Sequence, residues 1–241
     1  MRVDEVQQVL VRTLVLNLVV AAAKGVYGLL SGSLAIAGDG LHSMLDAGSN
    51  VLGLIATRRA AEPPDAGHPY GHQKFEVVAS LALGAIIGAG ALTIGWSALK
   101  ALASGDYAPP VGIGGIGVIS VTLVINIGVA LYERRRGREL KSAYLIADAA
   151  HTASDVFVTL GVLVAVALSN AGIRAADPIC TLGVFLVILR VAWRILSTNA
   201  GVLVDRAMLN PEQVRRLALS VDGVLACDHI RSRGTEAAVY L

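Results

Sequence analysis

Six long apolar runs dominate this 241-residue sequence and constrain its fold more than any other feature. They cover roughly residues 10–30, 34–56, 77–100, 111–132, 144–169 and 179–199, each near the ~20 residues that a helix needs to cross a bilayer. Only 16% of the residues are charged, whereas a soluble domain usually carries about 25%. The sequence therefore predicts an all-α membrane protein with six transmembrane helices.

The basic residues predict the orientation of these spans. Lysine and arginine are concentrated in two polar loops, residues 57–76 and 133–141, and almost absent from the short turns between the other spans. Since cytoplasmic loops carry the excess of basic residues, we expect both loops, and with six spans both termini, to be cytoplasmic. The acidic start, Asp4 and Glu5, argues against a cleaved signal peptide. A net charge of only +2 gives no indication of nucleic acid binding.

The character of the sequence changes after the last apolar run. We expect a transmembrane domain over residues 1–206, followed over 207–241 by the incomplete start of a cytoplasmic α+β domain. Asn210 as N-cap and Pro211 in the first turn predict a helix over 210–220. The stretches 223–233 and 236–241 predict two strands around a turn at Gly234. One helix and two strands are too few for a stable domain, hence the expectation that it is incomplete.

The pattern D-x-x-H-x-x-x-D occurs twice within apolar runs, as Asp39, His42 and Asp46 and again as Asp148, His151 and Asp155. In each copy the histidine and the second aspartate are four residues apart, which places them on one face of a helix. Two such faces together offer two imidazoles and two carboxylates. This is a tetrahedral ligand set suited to zinc, and acceptable to other first-row divalent ions or cadmium.

A buried hydrogen-bond network of protonated carboxyls and neutral histidines is the alternative for these groups. We favour a functional site, because a charged aspartate near the bilayer centre costs about 2.5–3.5 kcal/mol and ionisable residues in spans are usually functional. Asp39 and Asp148 precede the histidines by three residues. They either support the imidazoles or line an entry path, or they cap and pair with neighbours, and the sequence does not decide between these roles.

A third cluster lies in the first polar loop, where DAGHPYGH contains Asp65, His68 and His72. The glycines and the proline favour a turn over a helix. One carboxylate and two imidazoles fit a second metal site completed by water or another group. The alternative is a solvated loop that happens to contain histidines. The two cysteines, Cys180 and Cys227, are isolated, and we expect no disulfide between them.

Together these features resemble the cation diffusion facilitator family of divalent metal/proton antiporters. The motifs that carry the resemblance are SGSLAIAGDGLHSMLD (31–46), HPYGHQKFE (68–76), DAAHTASD (148–155) and LVDR (203–206). The resemblance extends across essentially the whole chain. It implies six transmembrane helices, a ferredoxin-like cytoplasmic domain, a homodimer, and export of metal driven by proton entry.

The resemblance also implies roles for individual residues. The intramembrane transport site would consist of His42, Asp46, His151 and Asp155, a combination associated in the family with zinc and often with cadmium or cobalt. The accessory loop site would consist of Asp65, His68 and His72. Lys74 and Asp205 match a charge interlock that holds the dimer near the membrane–cytoplasm junction.

The expected function is therefore export of a divalent metal, Zn²⁺ before Cd²⁺, Co²⁺ or Fe²⁺, in exchange for protons across a bacterial cytoplasmic membrane. We expect neither catalytic residues nor a bound organic cofactor. The rival hypothesis is a membrane-embedded metal-binding protein, a sensor or a metalloenzyme, that does not transport. Against the enzyme, the sequence contains neither H-E-x-x-H nor G-x-S-x-G.

Overall fold

The structure, a computed structural model, describes the whole chain except residues 1, 32–33, 106–112, 171–172 and 174. It also leaves undescribed the side chains of residues 2, 27–29, 31, 34–42, 45–46, 113–116, 118–119, 166, 169–170 and 177. The described part contains six long helices followed by one short helix and two short strands. These are α1 (Arg2–Ser31), α2 (Leu34–Ala60), α3 (Lys74–Ser104), α4 (Ile113–Glu139), α5 (Ala143–Asn170), α6 (Ala176–Leu203), α7 (Pro211–Leu219), β1 (Arg233–Thr235) and β2 (Ala238–Tyr240).

Four of the long helices contain a described segment that is long and apolar enough to cross a membrane. The segments are Val3–Val26 in α1, Lys74–Ser104 in α3, Ala143–Ala165 in α5 and Pro178–Leu203 in α6. The predicted mostly helical, membrane-type fold is thereby confirmed. The other two predicted spans fall on α2 and α4, and their crossing of the membrane stays a prediction.

The helices pack mainly as α1 against α2, α3 against α6, and α5 against both α4 and α6. The side chains of Leu10, Leu83, Tyr144 and Leu145 are fully buried between them. Large apolar side chains such as Trp96 are exposed on the outside of the bundle, as expected for helices surrounded by lipid. The interior therefore has to be held by close packing and by polar contacts rather than by exclusion of water alone.

Glycines allow the closest helix contacts. Gly53 of α2 lies directly against the ring of Tyr144 in α5, and a Cβ atom at this position would overlap the ring carbons. Gly84 of α3 leaves similar space for Ile195 of α6, where an added Cβ would lie 2.9 Å from a side-chain methyl carbon. Small residues have this role in membrane helices generally, and the contact at Gly53 sets the approach of the two helices that carry the repeated motif.

A single carboxylate joins the beginnings of α3 and α5. Glu76, in the first turn of α3, accepts hydrogen bonds at Oε1 from the Ser142 hydroxyl and, at 3.2 Å, from the Tyr144 backbone N–H. The Ser142 oxygen in turn accepts from the Leu145 N–H at 3.2 Å. Backbone N–H groups in the first turn of a helix have no partner within the helix, and Glu76 and Ser142 satisfy two of those of α5.

The C-terminal residues agree only in part with expectation. The helix is confirmed: α7 begins at Pro211, and the Asn210 side chain caps it by accepting the Glu212 N–H at 2.9 Å. The strand over 223–233 was wrong, because β1 and β2 have three residues each and residues 223–232 have no strand partner in the described chain. The turn at Gly234 was also wrong. Gly234, with φ of 121°, lies within β1 opposite Val239, and the chain reverses at residues 236–237.

Candidate metal sites

The second copy of the repeated motif borders a small polar cavity inside the helix bundle. The cavity has a volume of about 20 Å³, which is room for about one water molecule. His151 and Asp155 of α5 line it together with Asn17 of α1, Ser43 of α2 and Asn126 of α4. Both α5 side chains are half-buried. Ser49 of α2 and Thr152 of α5 also line it, so four helices surround one imidazole, one carboxylate and five further polar side chains.

The first copy of the motif lies in α2, next to the same cavity. His42 and Asp46 belong to the helix on either side of Ser43, which lines the cavity. Their side chains and that of Asp39 lie outside the described part of the structure. The helices α2 and α5 are nevertheless neighbours, since side chains from both border one cavity and contact each other directly.

Asp148 pairs with neighbours on α2. Its two carboxylate oxygens accept hydrogen bonds from the Ser49 hydroxyl at 2.9 Å and from the Asn50 amide at 2.7 Å. Asn50 also accepts from the Asn17 amide of α1 at 2.9 Å. Of the alternatives that the sequence left open, these contacts favour pairing. Asp148 thereby ties α5 to α2 one turn away from His151.

The three residues of the loop cluster lie close together, as predicted. One ligand atom from each of Asp65, His68 and His72 can be chosen so that all three lie within 4.8 Å of one another. The rings of His68 and His72 are 4.2 Å apart between centroids. The predicted turn is confirmed, because the Gly71 N–H bonds to the His68 carbonyl at 2.9 Å with φ of 83° at Gly71. This geometry fits a metal ion with a fourth position open to another ligand.

Asp65 and His72, the first and last residues of this cluster, both make hydrogen bonds that favour the binding of a cation. The Asp65 Oδ1 atom accepts the backbone N–H groups of His68 at 2.6 Å and Gly67 at 2.8 Å. The His68 N–H is the main reason that the pKa of the Asp65 carboxyl is lower than usual, since it stabilises the ionised form. His72 Nδ1 lies 3.2 Å from the Pro63 carbonyl. A neutral imidazole that donates there presents the lone pair of Nε2 towards Asp65 Oδ2, 3.4 Å away.

Replacing Asp65 by asparagine is expected to remove one bound metal ion per chain and to leave binding elsewhere intact. The reason is that the amide loses the charge that offsets a cation between two imidazoles. Because the pKa of the Asp65 carboxyl is lower than usual, moderate acidification should leave this carboxylate of the wild-type loop ionised. Zinc stoichiometry by calorimetry at several pH values checks both points.

The matched control is Glu62→Gln, a carboxylate of the same loop that pairs with Arg59 at 2.9 Å. We expect this variant to bind as much zinc as the wild type. Equal zinc stoichiometry in Asp65→Asn and the wild type would contradict a metal site in the loop.

Lys74 and Asp205 form an ion pair within one chain. The Lys74 ammonium donates to Asp205 Oδ1 at 2.9 Å, and Arg233 of β1 approaches the other oxygen at 3.6 Å. Arg233 also lies over the ring of Tyr70, 4.2 Å from its centroid, and the Tyr240 hydroxyl donates to the Tyr70 carbonyl at 2.9 Å. The segment after α6, the loop that contains Asp65, His68 and His72, and the β1–β2 hairpin therefore meet near Asp205.

Replacing Asp205 by asparagine is expected to loosen the hairpin from the loop. The hydrogen bond from Lys74 lowers the pKa of Asp205, so the pair stabilises the docked state fully above the ordinary carboxyl value of 3.8. This stabilisation is lost as the pH falls through the lower pKa of the folded chain. Amide hydrogen exchange of residues 205–241 should therefore be faster in the variant than in the wild type at neutral pH, and the difference should disappear in acid.

The control is Asp222→Asn, an exposed change in the same segment, which should leave amide exchange of the hairpin unaltered. Equal exchange in Asp205→Asn and the wild type would contradict the prediction.

Sequence reasoning missed several polar residues inside the bundle. Thr13, Asn50 and Glu133 are fully buried, and Asn17 and Asn126 border the cavity. The asparagines could have been found as polar residues within apolar runs. Glu133 could not, because it begins the strongly basic stretch ERRRGRELK and was read there as part of a loop.

The class of protein follows from the helical fold, the polar cavity and a match to one family model. Residues 10–204 match the model of the cation efflux transmembrane domain. Since this is more than half of the chain, the protein belongs to the cation efflux family, whose members are membrane transporters and not enzymes.

Three relatives illustrate the similarity. An uncharacterized transporter of Methanocaldococcus jannaschii is 33% identical over 230 residues, which are 95% of this chain and 81% of the relative. Metal tolerance protein C1 of Arabidopsis thaliana is 32% identical over 237 residues, covering 92% of this chain and 50% of that protein. The cation-efflux pump FieF of Yersinia pestis is 31% identical over 205 residues, covering 84% and 68%. The chain thus spans between half and four fifths of the length of these relatives.

Proposed function

We propose that the protein exports divalent metal ions from the cytoplasm in exchange for protons, with Zn²⁺ as the preferred ion and Cd²⁺, Co²⁺ or Fe²⁺ as further substrates. The observation that carries the proposal is the polar cavity at His151 and Asp155, enclosed by apolar helices in a chain of the cation efflux family. The names of two relatives, a metal tolerance protein and a cation-efflux pump, support a metal ion as the cargo.

The transport site is proposed to contain His42 and Asp46 of α2 and His151 and Asp155 of α5. Two imidazole nitrogens and two carboxylate oxygens form a tetrahedral set that suits zinc. Two negative charges then offset the two positive charges of the ion inside the bilayer. The contact between α2 and α5 at Asp148 supports this arrangement, because it holds together the two helices that carry the four residues.

Proton exchange follows from the chemistry of these ligands. Metal binds to neutral imidazole and ionised carboxylate, so binding displaces protons and protonation displaces metal. A site that faces the two sides of the membrane in turn can therefore carry metal out and protons in. Rocking of packed helices around a fixed central site is the usual way for transporters to alternate access.

The remaining parts of the proposal concern location and assembly. The basic loops favour cytoplasmic termini in a bacterial cytoplasmic membrane, with the loop site of Asp65, His68 and His72 on the cytoplasmic side. We propose a homodimer in which Lys74 and Asp205 stabilise the membrane–cytoplasm junction. The ion pair between them, at 2.9 Å, supports a structural role at this position.

Zinc uptake into proteoliposomes with an imposed pH gradient tests the function. An acidic interior should drive zinc inwards, and each pH unit should raise the equilibrium zinc ratio about tenfold per proton exchanged. Collapsing the gradient with a protonophore should abolish accumulation. Zinc flux that ignores the gradient would indicate a channel, and stoichiometric zinc binding without flux would indicate a sensor or scaffold.

A further inference from the structure

Two buried carboxyl groups lie beside each other outside the proposed ligand set. Glu133 of α4 is 0% exposed and Asp148 of α5 is 1% exposed, and each carboxyl group interacts with the other. Two like charges in such a place repel each other and lose their hydration. The pair therefore needs a positive charge or a proton.

The hydrogen-bond donors around the pair are unevenly divided. Asp148 accepts from Ser49 at 2.9 Å and from Asn50 at 2.7 Å. Glu133 Oε2 has the Thr152 hydroxyl at 3.2 Å, but that hydroxyl is equally close to the Asp148 backbone carbonyl. One hydrogen thus serves two acceptors. Within the described chain, Glu133 Oε1 has no hydrogen-bond partner.

The Thr13 hydroxyl of α1 interacts with Glu133, but its hydrogen is shared with other acceptors. The hydroxyl lies 3.2 Å from the carbonyls of Val9 and Leu10, to which it donates, and its oxygen accepts from Asn50 at 3.2 Å. The two hydroxyl groups that interact with Glu133, those of Thr13 and Thr152, are therefore both shared with backbone carbonyls. An ionised Glu133 would leave a buried charged oxygen unsatisfied, which is strongly unfavourable. A protonated Glu133 would itself be the donor.

We propose that Glu133 carries a proton in the metal-free protein and releases it when the transport site binds metal, an inference that rests on the proposed function. The O–H bond of the Glu133 carboxyl breaks, water accepts the proton, and a carboxylate remains. No group is oxidised or reduced. Glu133 would thus be a proton-binding residue beyond the four transport-site ligands, and it would add up to one proton to the exchange.

The link to the transport site runs through α5. Thr152, which contacts Glu133, directly follows His151, and Asp148 precedes His151 by one turn. A divalent ion at His151 adds positive charge close to Glu133 and favours its ionised form. The titratable groups that face the pair from the described chain are His151 and Tyr144, both on α5. Among the described contacts, α1 and α2 contribute only uncharged side chains, such as Thr13 and Asn50.

Counting protons on zinc binding tests this inference. Calorimetry in buffers of different ionisation enthalpy gives the number of protons released per zinc ion bound. All chains compared carry Asp65→Asn, which we expect to remove zinc binding at the loop, so that the proposed transport site is the zinc site measured. Glu133→Gln, which imitates the protonated carboxyl, should still bind zinc and should release fewer protons, by up to one per ion. Glu139→Gln, on the same helix but paired with Arg135 and Arg136 at the surface, should release as many as the background. An unchanged proton count in Glu133→Gln would overturn the proposal.

Infrared spectroscopy of the unmodified chain tests it without a variant. We expect the carbonyl band of a protonated carboxylic acid at neutral pH, lost when zinc is added and absent from Glu133→Gln. Absence of this band from the metal-free wild type would overturn the inference even if zinc transport were demonstrated. Conversely, the band can be present in a protein that fails to transport, so failures of the two proposals are distinguishable.

Discussion

Replacing Asp155 by alanine is expected to lower the initial rate of zinc uptake into proteoliposomes by at least about 100-fold. Loss of a group that merely orients a ligand already costs about 10–100-fold in metal affinity, and Asp155 is proposed to bind the ion itself. Its side chain lines the cavity beside His151. The change also removes one of the two negative charges that offset the ion inside the bilayer.

The control for this experiment is Glu139→Ala, which removes a carboxylate of α4 whose partners are the surface arginines Arg135 and Arg136. Its uptake rate should match that of the wild type. The Asp155→Ala protein should keep the zinc bound at the loop site, because Asp65, His68 and His72 are unchanged. Wild-type uptake in Asp155→Ala would show that the ion takes another route and that the site is wrongly assigned.

Replacing Gly53 by alanine is expected to destabilise the bundle by about 1–3 kcal/mol, the usual cost of overpacking a filled interior. The added methyl group would overlap the ring of Tyr144. That ring is fully buried, and its hydroxyl donates to the Ser49 carbonyl of α2, so it has no space to move aside. Either α2 and α5 separate or the Tyr144 hydrogen bond breaks. A thermal unfolding midpoint in detergent measures the effect.

Gly48→Ala is the matched change on the same helix. Among the described residues, no atom outside the backbone of α2 itself lies within 4 Å of a Cβ atom built there, and alanine favours a helix over glycine by about 1 kcal/mol. This variant should therefore be as stable as the wild type or more stable. Equal midpoints for the two variants would contradict the close packing of α2 on α5. Because α2 and α5 carry the two halves of the proposed transport site, Gly53→Ala should also lower zinc uptake, whereas Gly48→Ala should not.

The sequence correctly predicted those local features, a turn and a helix start, that depend on only a few consecutive residues. The turn that brings His68 and His72 to Asp65 follows from the glycines and the proline of one short loop, and the start of α7 follows from Asn210 and Pro211. The prediction of the strand over 223–233 failed because the pairing of β-strands depends on residues elsewhere in the chain. Residues 223–232 have the composition of a strand, but the described chain offers them no partner, whereas β1 needs Gly234 in a conformation that other residues rarely adopt.

It was harder to predict from the sequence which polar side chains are buried in the helix bundle. Helical spacing identified His151 and Asp155 because the motif recurs, and both border the cavity. The role of Asp148 depended on which residues of α2 face it, and the sequence does not fix how two helices are rotated about their axes. Glu133 stands next to three arginines in the sequence, yet packing of α1 and α5 over α4 buries it completely.

The bond from Glu76 to the first turn of α5 has a consequence for how the bundle comes apart. Helices that share only apolar contacts can fray one at a time from their ends. Here the first turn of α5 cannot open without exposing the Tyr144 N–H and breaking the Ser142 cap, both of which depend on a residue of α3. The first turns of α3 and α5 should consequently open as one cooperative unit, with the same amide-exchange free energy, although Glu76 and Ser142 are 66 residues apart along the chain.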